Sequence, residues 1–190
     1  MNSKILTLTG PSGAGKTSIA RKLLDLLPNK ANMVVSNTTR SRRDSDLKGE
    51  YNYLAVREFE DLERNGEFIW ATPPYDGNRY GTLRQSVREA ATADDSIGIM
   101  ILTPDVMLTL RSYLSELNTG TKHIPVFVYA PTQMLSDRLI GRGQSPDSIK
   151  ARLRQSANWE ELCRSSATPF HFLRNTRSID DAVASVMSKF

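Results

Sequence analysis

The sequence predicts an α/β fold, a parallel sheet with helices on both faces, and three observations predict it. Short strand-like segments alternate with segments of helical periodicity along most of the 190 residues, the pattern of a βαβ series. Ile97 to Leu102 is a continuous apolar run, which suits a strand buried on both faces of a parallel sheet. Between a strand pattern and a helix pattern lies Gly10-Pro11-Ser12-Gly13-Ala14-Gly15-Lys16-Thr17, which matches G-x-x-x-x-G-K-[S/T], the phosphate-binding loop (P-loop).

The elements follow in order. Ile5 to Thr9 is short, apolar and strand-like. After the loop, Ile19, Ala20, Leu23, Leu24 and Leu27 recur at helical spacing until Pro28 stops them. Met33-Val34-Val35 reads as a short buried strand, and Tyr51 to Val56 alternates as a strand does. Phe59 and Leu62, set among acids, predict a short surface helix that ends at Asn65-Gly66. Phe68-Ile69-Trp70 is strand-like, and Pro73 to Asn78 must turn. Leu83 to Ala93 is helical, Ile97 to Leu102 a strand, Asp105 to Leu117 a helix and Pro125 to Tyr129 a core strand. A helix over Thr132 to Ile140 leads into the loop Gly141 to Pro146. One helix over Ser148 to Ser165, a strand at Phe170 to Leu173 and a helix over Ile179 to Lys189 complete the chain. Residues 36–82 crowd short strands and turns together. They read as an inserted unit outside the main sheet, leaving 1–35 and 83–190 as the core, with a lid at about 141–150.

Composition narrows the partners. Hydrophobic residues make up 39% and charged residues 24%, an ordinary soluble balance. The formal net charge of +4 comes with arginines in local clusters, and an anionic small molecule accounts for it as well as nucleic acid does. The single cysteine, Cys163, excludes an internal disulfide and any cysteine-cluster zinc site. No amino-terminal leader pattern precedes Gly10, and no apolar run is long enough to span a bilayer. The expectation is a cytoplasmic protein with no membrane and no nucleic acid as partner. His123 and His171 read as structural.

The loop implies a nucleotide. Glycines let the backbone close around a polyphosphate with its N–H groups inward, and the helix that begins near Lys16 adds its positive end. Gly10 through Ser18 are therefore the expected ATP-binding residues. Lys16 reaches the β- and γ-phosphates, and the Thr17 hydroxyl takes a place on Mg²⁺. A second anion site is expected where Arg40 and Arg43 meet Ser36, Tyr51 and Tyr80, because guanidinium forks and phenol hydroxyls match phosphate oxygens. The other reading of each arginine is a solvated surface charge. Arg142, flanked by Gly141 and Gly143, and Arg152 on the next helix form a third basic element, suited to a lid over a transferring phosphoryl group.

These blocks carry a resemblance. Gly-Pro-Ser-Gly-Ala-Gly-Lys-Thr at 10–17, Ser-Asn-Thr-Thr-Arg-x-x-Arg at 36–43, Gly-Glu-Tyr-Asn-Tyr at 49–53 and Asn-Gly-Glu-Phe-Ile at 65–69 resemble guanylate kinase, in family order. So do Gly-Asn-Arg-Tyr-Gly-Thr at 77–82 and Arg-Leu-Ile-Gly-Arg-Gly at 138–143, followed by Ser-Ile-Lys-Ala-Arg-Leu at 148–153. The resemblance implies a P-loop nucleoside-monophosphate kinase that moves the ATP γ-phosphoryl to a nucleoside monophosphate with Mg²⁺. It implies that Ser36, Arg40, Arg43, Tyr51 and Tyr80 bind the monophosphate, that Thr82 lies near the base, and that Lys16, Arg43, Arg142 and Arg152 serve the transfer.

The sequence departs from the family where the base is read. The family has an acid before the tryptophan of Phe-[Ile/Leu]-Glu-Trp, whereas this chain reads Phe68-Ile69-Trp70-Ala71. The family's Leu-Asp-Ile-Asp is replaced by Leu102-Thr103-Pro104-Asp105, so that Thr103 falls opposite an acid. Asp105 and Asp76 are the candidate substitutes. GMP or dGMP is the leading acceptor, and a monomer or homodimer is expected. Two readings stay open beside it: a kinase of another nucleotide or of a sugar phosphate such as ribose 1,5-bisphosphate, and a non-catalytic binding module.

Overall fold

A computed structural model of the chain describes residues 3–44, 46–73 and 77–190. The elements are β1 (Lys4–Thr9), α1 (Lys16–Leu26), β2 (Ala31–Met33), β3 (Ser36–Thr38), β4 (Tyr51–Tyr53) and α2 (Val56–Arg64). Next come β5 (Phe68–Ala71), β6 (Tyr80–Leu83), α3 (Arg84–Thr92), β7 (Ile97–Ile101), a 3-10 turn (Pro104–Val106) and α4 (Met107–Leu117). Last are β8 (Lys122–Tyr129), α5 (Thr132–Ile140), α6 (Pro146–Gln155), α7 (Trp159–Ser165), β9 (His171–Arg174) and α8 (Ile179–Met187).

The strands form a five-stranded sheet of order β2-β7-β1-β8-β9 and a four-stranded sheet of order β4-β3-β6-β5. The pairs β2–β7 and β8–β9 run parallel, so the α/β class predicted from alternation is what the chain adopts. Among the described residues, no helix is long and apolar enough to cross a membrane.

The chain divides into two compact units. The first comprises Met1–Ile5, Pro28–Met100 and Leu108–His123. Its core takes Phe59 and Phe68 under the four-stranded sheet, and Val87, Ile99 and Leu110 elsewhere, all buried. The second comprises Leu6–Leu27, Ile101–Met107 and Ile124–Phe190. In it α1 packs on α8, α5 on α6, and Ile19, Leu23, Phe127 and Val183 are buried. Each such side chain contributes about 1.5–3 kcal/mol by leaving water.

Where elements differ from the sequence reading, several do so for a local reason. The strand placed at 33–35 is divided. Met33 ends β2 in register with Ile99, and Val34–Val35 carry the chain to β3 in the other sheet. The strand over 51–56 stops at Tyr53 because Glu58 accepts from the Ala55 amide at 2.8 Å, which makes Val56 the first residue of α2. The single helix over 148–165 is two. The Ser156 hydroxyl donates back to the Arg152 carbonyl at 3.1 Å, and Asn158 stands outside helical geometry before α7. α6 also starts earlier than expected, at Pro146, since proline suits a first helical turn and Ser145 accepts from the Ser148 amide. Cys163 is buried in α7, and burial, with Glu160 nearby, pushes its thiol up to about 12.

Candidate functional site

The phosphate loop lies wholly within the second unit. β1 delivers the chain to Gly10, whose φ of 140° lies in the region open to glycine. A Cβ there would stand 2.0 Å from the Val128 carbonyl oxygen, so the loop crosses β8 at backbone distance. Gly15, with φ 101°, is the residue before α1, and no side chain caps the helix and no acid occupies its first turn. The first N–H groups of α1 are thus left for an anion, beside the positive end of the helix dipole.

Two side chains brace the loop from behind. Asn175, at the end of β9, donates through Nδ2 to the Ala14 carbonyl at 2.8 Å and is buried. Arg138 on α5 donates to the Gly13 carbonyl at 3.2 Å and to the Asn175 carbonyl at 3.0 Å. Arg152 on α6 reaches the Ser12 hydroxyl at 3.4 Å. The Lys16 ammonium donates to the carbonyls of Gly10 at 2.6 Å and Pro11 at 2.9 Å. Burial, reinforced by the positive charge of Arg142, lowers Lys16 to about 8.

Beside the loop is a cavity of about 390 Å³, lined by Gly13, Gly15, Arg138, Arg142, Asn175 and Arg177 among others. Three guanidiniums around one hollow at a helix N-terminus make an anion receptor. Thr17, half-buried on the first turn of α1, offers a hydroxyl to a hard cation. Among the described residues no group of three or more His, Cys, Asp or Glu is placed to hold a metal ion. A single hydroxyl such as that of Thr17 suits Mg²⁺, which binds through few protein oxygens and keeps phosphates and waters as its remaining ligands.

The first unit carries the second group of predicted residues. β3 pairs in parallel with β4, Ser36 opposite Tyr51 and Thr38 opposite Tyr53. It pairs antiparallel with β6, Thr38 opposite Tyr80 and Asn37 opposite Gly81. Because side chains alternate, Ser36, Tyr51, Tyr80 and Thr82 share one face. The Ser36 and Thr82 hydroxyls lie 2.9 Å apart, and the rings of Tyr51 and Tyr80 meet edge-on at 6.1 Å. On the other face, Gly81 leaves room for Phe68, which packs on Phe59 at 4.6 Å.

Arg40 is 7% exposed and paired with Asp46, whose side chain is 8% exposed. Its two terminal nitrogens donate to the two Asp46 oxygens at 2.9 and 3.0 Å, and one also reaches the Ser41 carbonyl at 2.8 Å. Asp46 further accepts from the Arg43 amide at 2.8 Å and from the Tyr53 hydroxyl at 2.7 Å. The Arg40 guanidinium lies 5.1 Å from the centre of the Tyr51 ring. Burial opposes charge on both partners, but the mutual hydrogen bonds prevail, raising Arg40 above its ordinary value and lowering Asp46. Burial, with Glu50 beside it, raises the Tyr51 phenol, which stays protonated as a donor.

Arg43 differs from Arg40. Its amide is held by Asp46 while its side chain is exposed. Of the positions that depart from the family pattern, Trp70 and Ala71 lie in the first unit and Thr103 in the second, where the candidate substitute Asp105 is exposed. Asp76 falls outside the described residues, as does the turn at Pro74 and Tyr75.

Sequence reasoning missed Asp46, Tyr53, Arg138, Asn175 and Arg177. Asn175 had a signal, because it ends a parallel strand, where ligands of open α/β sheets bind. Arg138 is in the last turn of α5 and Arg142 lies two residues past its end, and both line the cavity.

Residues 2–190 match the family model described as guanylate kinase. A guanylate kinase of Chlorobium luteolum is 30% identical over 187 residues, 97% of this chain and 89% of its own length. A guanylate kinase of Brucella melitensis is 46% identical over 92 residues, 47% of this chain; the match spans only 40% of that relative's length. The crystal structure of guanylate kinase from Anaplasma phagocytophilum superposes with a TM-score of 0.65 at 22% identity, covering 99% of this chain and 84% of that one, and so shares the fold.

Proposed function

This chain belongs to the guanylate kinase family, and from that premise we propose that it is an ATP-dependent nucleoside-monophosphate kinase acting on GMP or dGMP. The observation that carries the reading is the P-loop, braced by Asn175 and Arg138, with Lys16 positioned on it and arginines around its cavity. The face holding Ser36, Arg40, Tyr51 and Tyr80 supports an acceptor that ends in a phosphate monoester.

The chemistry follows from these parts. Phosphoryl transfer needs positioning and charge neutralisation rather than a covalent intermediate. The loop amides and Lys16 hold the β- and γ-phosphates, Lys16 exchanging its two carbonyl partners for phosphate oxygens. Arg142 and Arg152 neutralise charge spreading over the transferred group. Arg40, fixed by Asp46, and the exposed Arg43 orient the acceptor phosphate, and the gain comes from positioning rather than from a new nucleophile. The Thr17 hydroxyl would hold Mg²⁺, which would supply positive charge to the phosphates. The reading places the enzyme in the cytoplasm, where ATP and nucleoside monophosphates meet, as a monomer or homodimer.

The test is ATP-dependent ADP release with GMP, dGMP, AMP, CMP, UMP, dTMP and ribose 1,5-bisphosphate as acceptors. Turnover on GMP or dGMP, lost by at least about a hundredfold in Lys16→Ala, is the expected result. Turnover on the sugar phosphate alone, or on no acceptor, overturns it.

A further inference from the structure

Trp70 sits on β5 where that strand breaks register. Phe68 pairs with Leu83 and Trp70 with Thr82, so two steps along β5 answer one step along β6, with Ile69 as the extra residue. In an unbroken strand Phe68 and Trp70 would face the same way. Phe68 is 7% exposed and packs against Phe59 beneath the sheet. The bulge turns Trp70 to the opposite face, which a bulge does when it re-aims a side chain. That face bears Ser36, Tyr51, Tyr80 and Thr82. The indole is half-buried there, and among the described residues it makes no hydrogen bond and no ring contact.

A tryptophan serving the core would follow Phe68 onto Phe59. This one is instead directed, next to the hydroxyl pair of Ser36 and Thr82, onto the side where the phosphate-binding groups stand. We infer that the indole of Trp70 is the platform on which the acceptor's base lies, contributing through its π-face. The inference rests on the acceptor-kinase reading above. The four strands of this sheet, Ser36–Thr38, Tyr51–Tyr53, Phe68–Ala71 and Tyr80–Leu83, carry hydroxyls, amides and aromatic rings and no carboxylate. Stacking is tolerant of base identity, because every base has a π-face. The Trp70 contribution is therefore shared by guanine and adenine.

The experiment has two arms. In the first, KM and kcat are measured for GMP and AMP with the unaltered enzyme, Trp70→Ala and Trp70→Phe. Removing a stacked ring raises KM by a factor between about 5 and about 150. Trp70→Ala is expected to raise KM for both purines by the same factor with kcat little changed, and Trp70→Phe to restore most of the loss. An unchanged KM, or a rise confined to GMP, overturns the inference. In the second arm, Trp159→Phe leaves Trp70 as the only indole, and its fluorescence is titrated with GMP and with ribose 5-phosphate. Quenching by GMP and not by ribose 5-phosphate is expected, and no response to GMP overturns the proposal. This arm reads binding alone, so it decides on Trp70 even if no acceptor turns over, an outcome that fails the kinase reading instead. It also decides if Trp70→Ala does not fold.

Discussion

Lys16 should make ATP affinity depend on pH in a range where the nucleotide itself is unchanged. Without ligand its ammonium is lowered to about 8, first by burial and then by the charge of Arg142, while its hydrogen bonds go to the Gly10 and Pro11 carbonyls. Polyphosphate binds the protonated form, so occupancy of the loop raises the Lys16 pKa. Above pH 8 binding must therefore take up a proton. With a free-state pKa of about 8, Lys16 is roughly 76% protonated at pH 7.5 and roughly 3% at pH 9.5. If the bound-state value lies above that range, the dissociation constant for ATP rises roughly 25-fold between the two pH values. Phosphate titrates near pH 6 and contributes little there. Calorimetric titration in two buffers of different ionisation enthalpy measures both the affinity and the proton uptake. Lys16→Arg keeps a charge that does not titrate and should flatten the profile. An affinity constant to within twofold from pH 7.5 to 9.5, with no buffer-dependent heat, would refute the reasoning.

The acceptor face supplies three further tests and the loop a fourth. Arg43→Ala should raise KM for GMP by about 10- to 150-fold, the loss of one charge-assisted contact, and leave ATP affinity and the melting temperature unchanged because that side chain is exposed. Asp46→Asn should cost about 3–5 kcal/mol in urea unfolding, since it leaves the Arg40 charge buried without its carboxylate. Tyr53→Phe, which removes the hydroxyl that donates to Asp46, should cost only about 1 kcal/mol, and a larger loss would mean that Tyr53 has another role. Gly10→Ala drives a methyl group against the Val128 carbonyl and should abolish ATP binding at a cost of about 3 kcal/mol or more; a variant that still binds ATP would show that the loop runs elsewhere.

What was legible in the sequence is what physics makes local. The phosphate loop is contiguous because consecutive amides must converge on one anion, so its residues stand together in the chain. The buried parallel strand at Ile97 advertised itself as an apolar run, and Tyr51 as part of an alternating one. The braces were not legible. Arg138 reaches Gly13 across 125 residues and Asn175 reaches Ala14 across 161, and no spacing rule connects them. The bulge at Ile69 has no glycine to mark it, and only pairing with β6 reveals which way Trp70 turns.

Arg40 and Arg43 show what composition alone leaves unresolved. In sequence they are two arginines three residues apart in a polar loop, equally suited to a phosphate. The structure separates them through Asp46, one of several acids nearby and the one whose carboxylate pairs with the Arg40 guanidinium. It accepts from both terminal nitrogens of Arg40 yet binds Arg43 only at its amide. A guanidinium so held is preorganised but has little freedom to follow a ligand, whereas an exposed one can close upon it at an entropic cost. The two variants should accordingly fail in different ways. Asp46→Asn should lose stability and acceptor binding together, and Arg43→Ala acceptor binding alone. If both lose stability equally, the division of labour between a fixed and a mobile arginine is wrong.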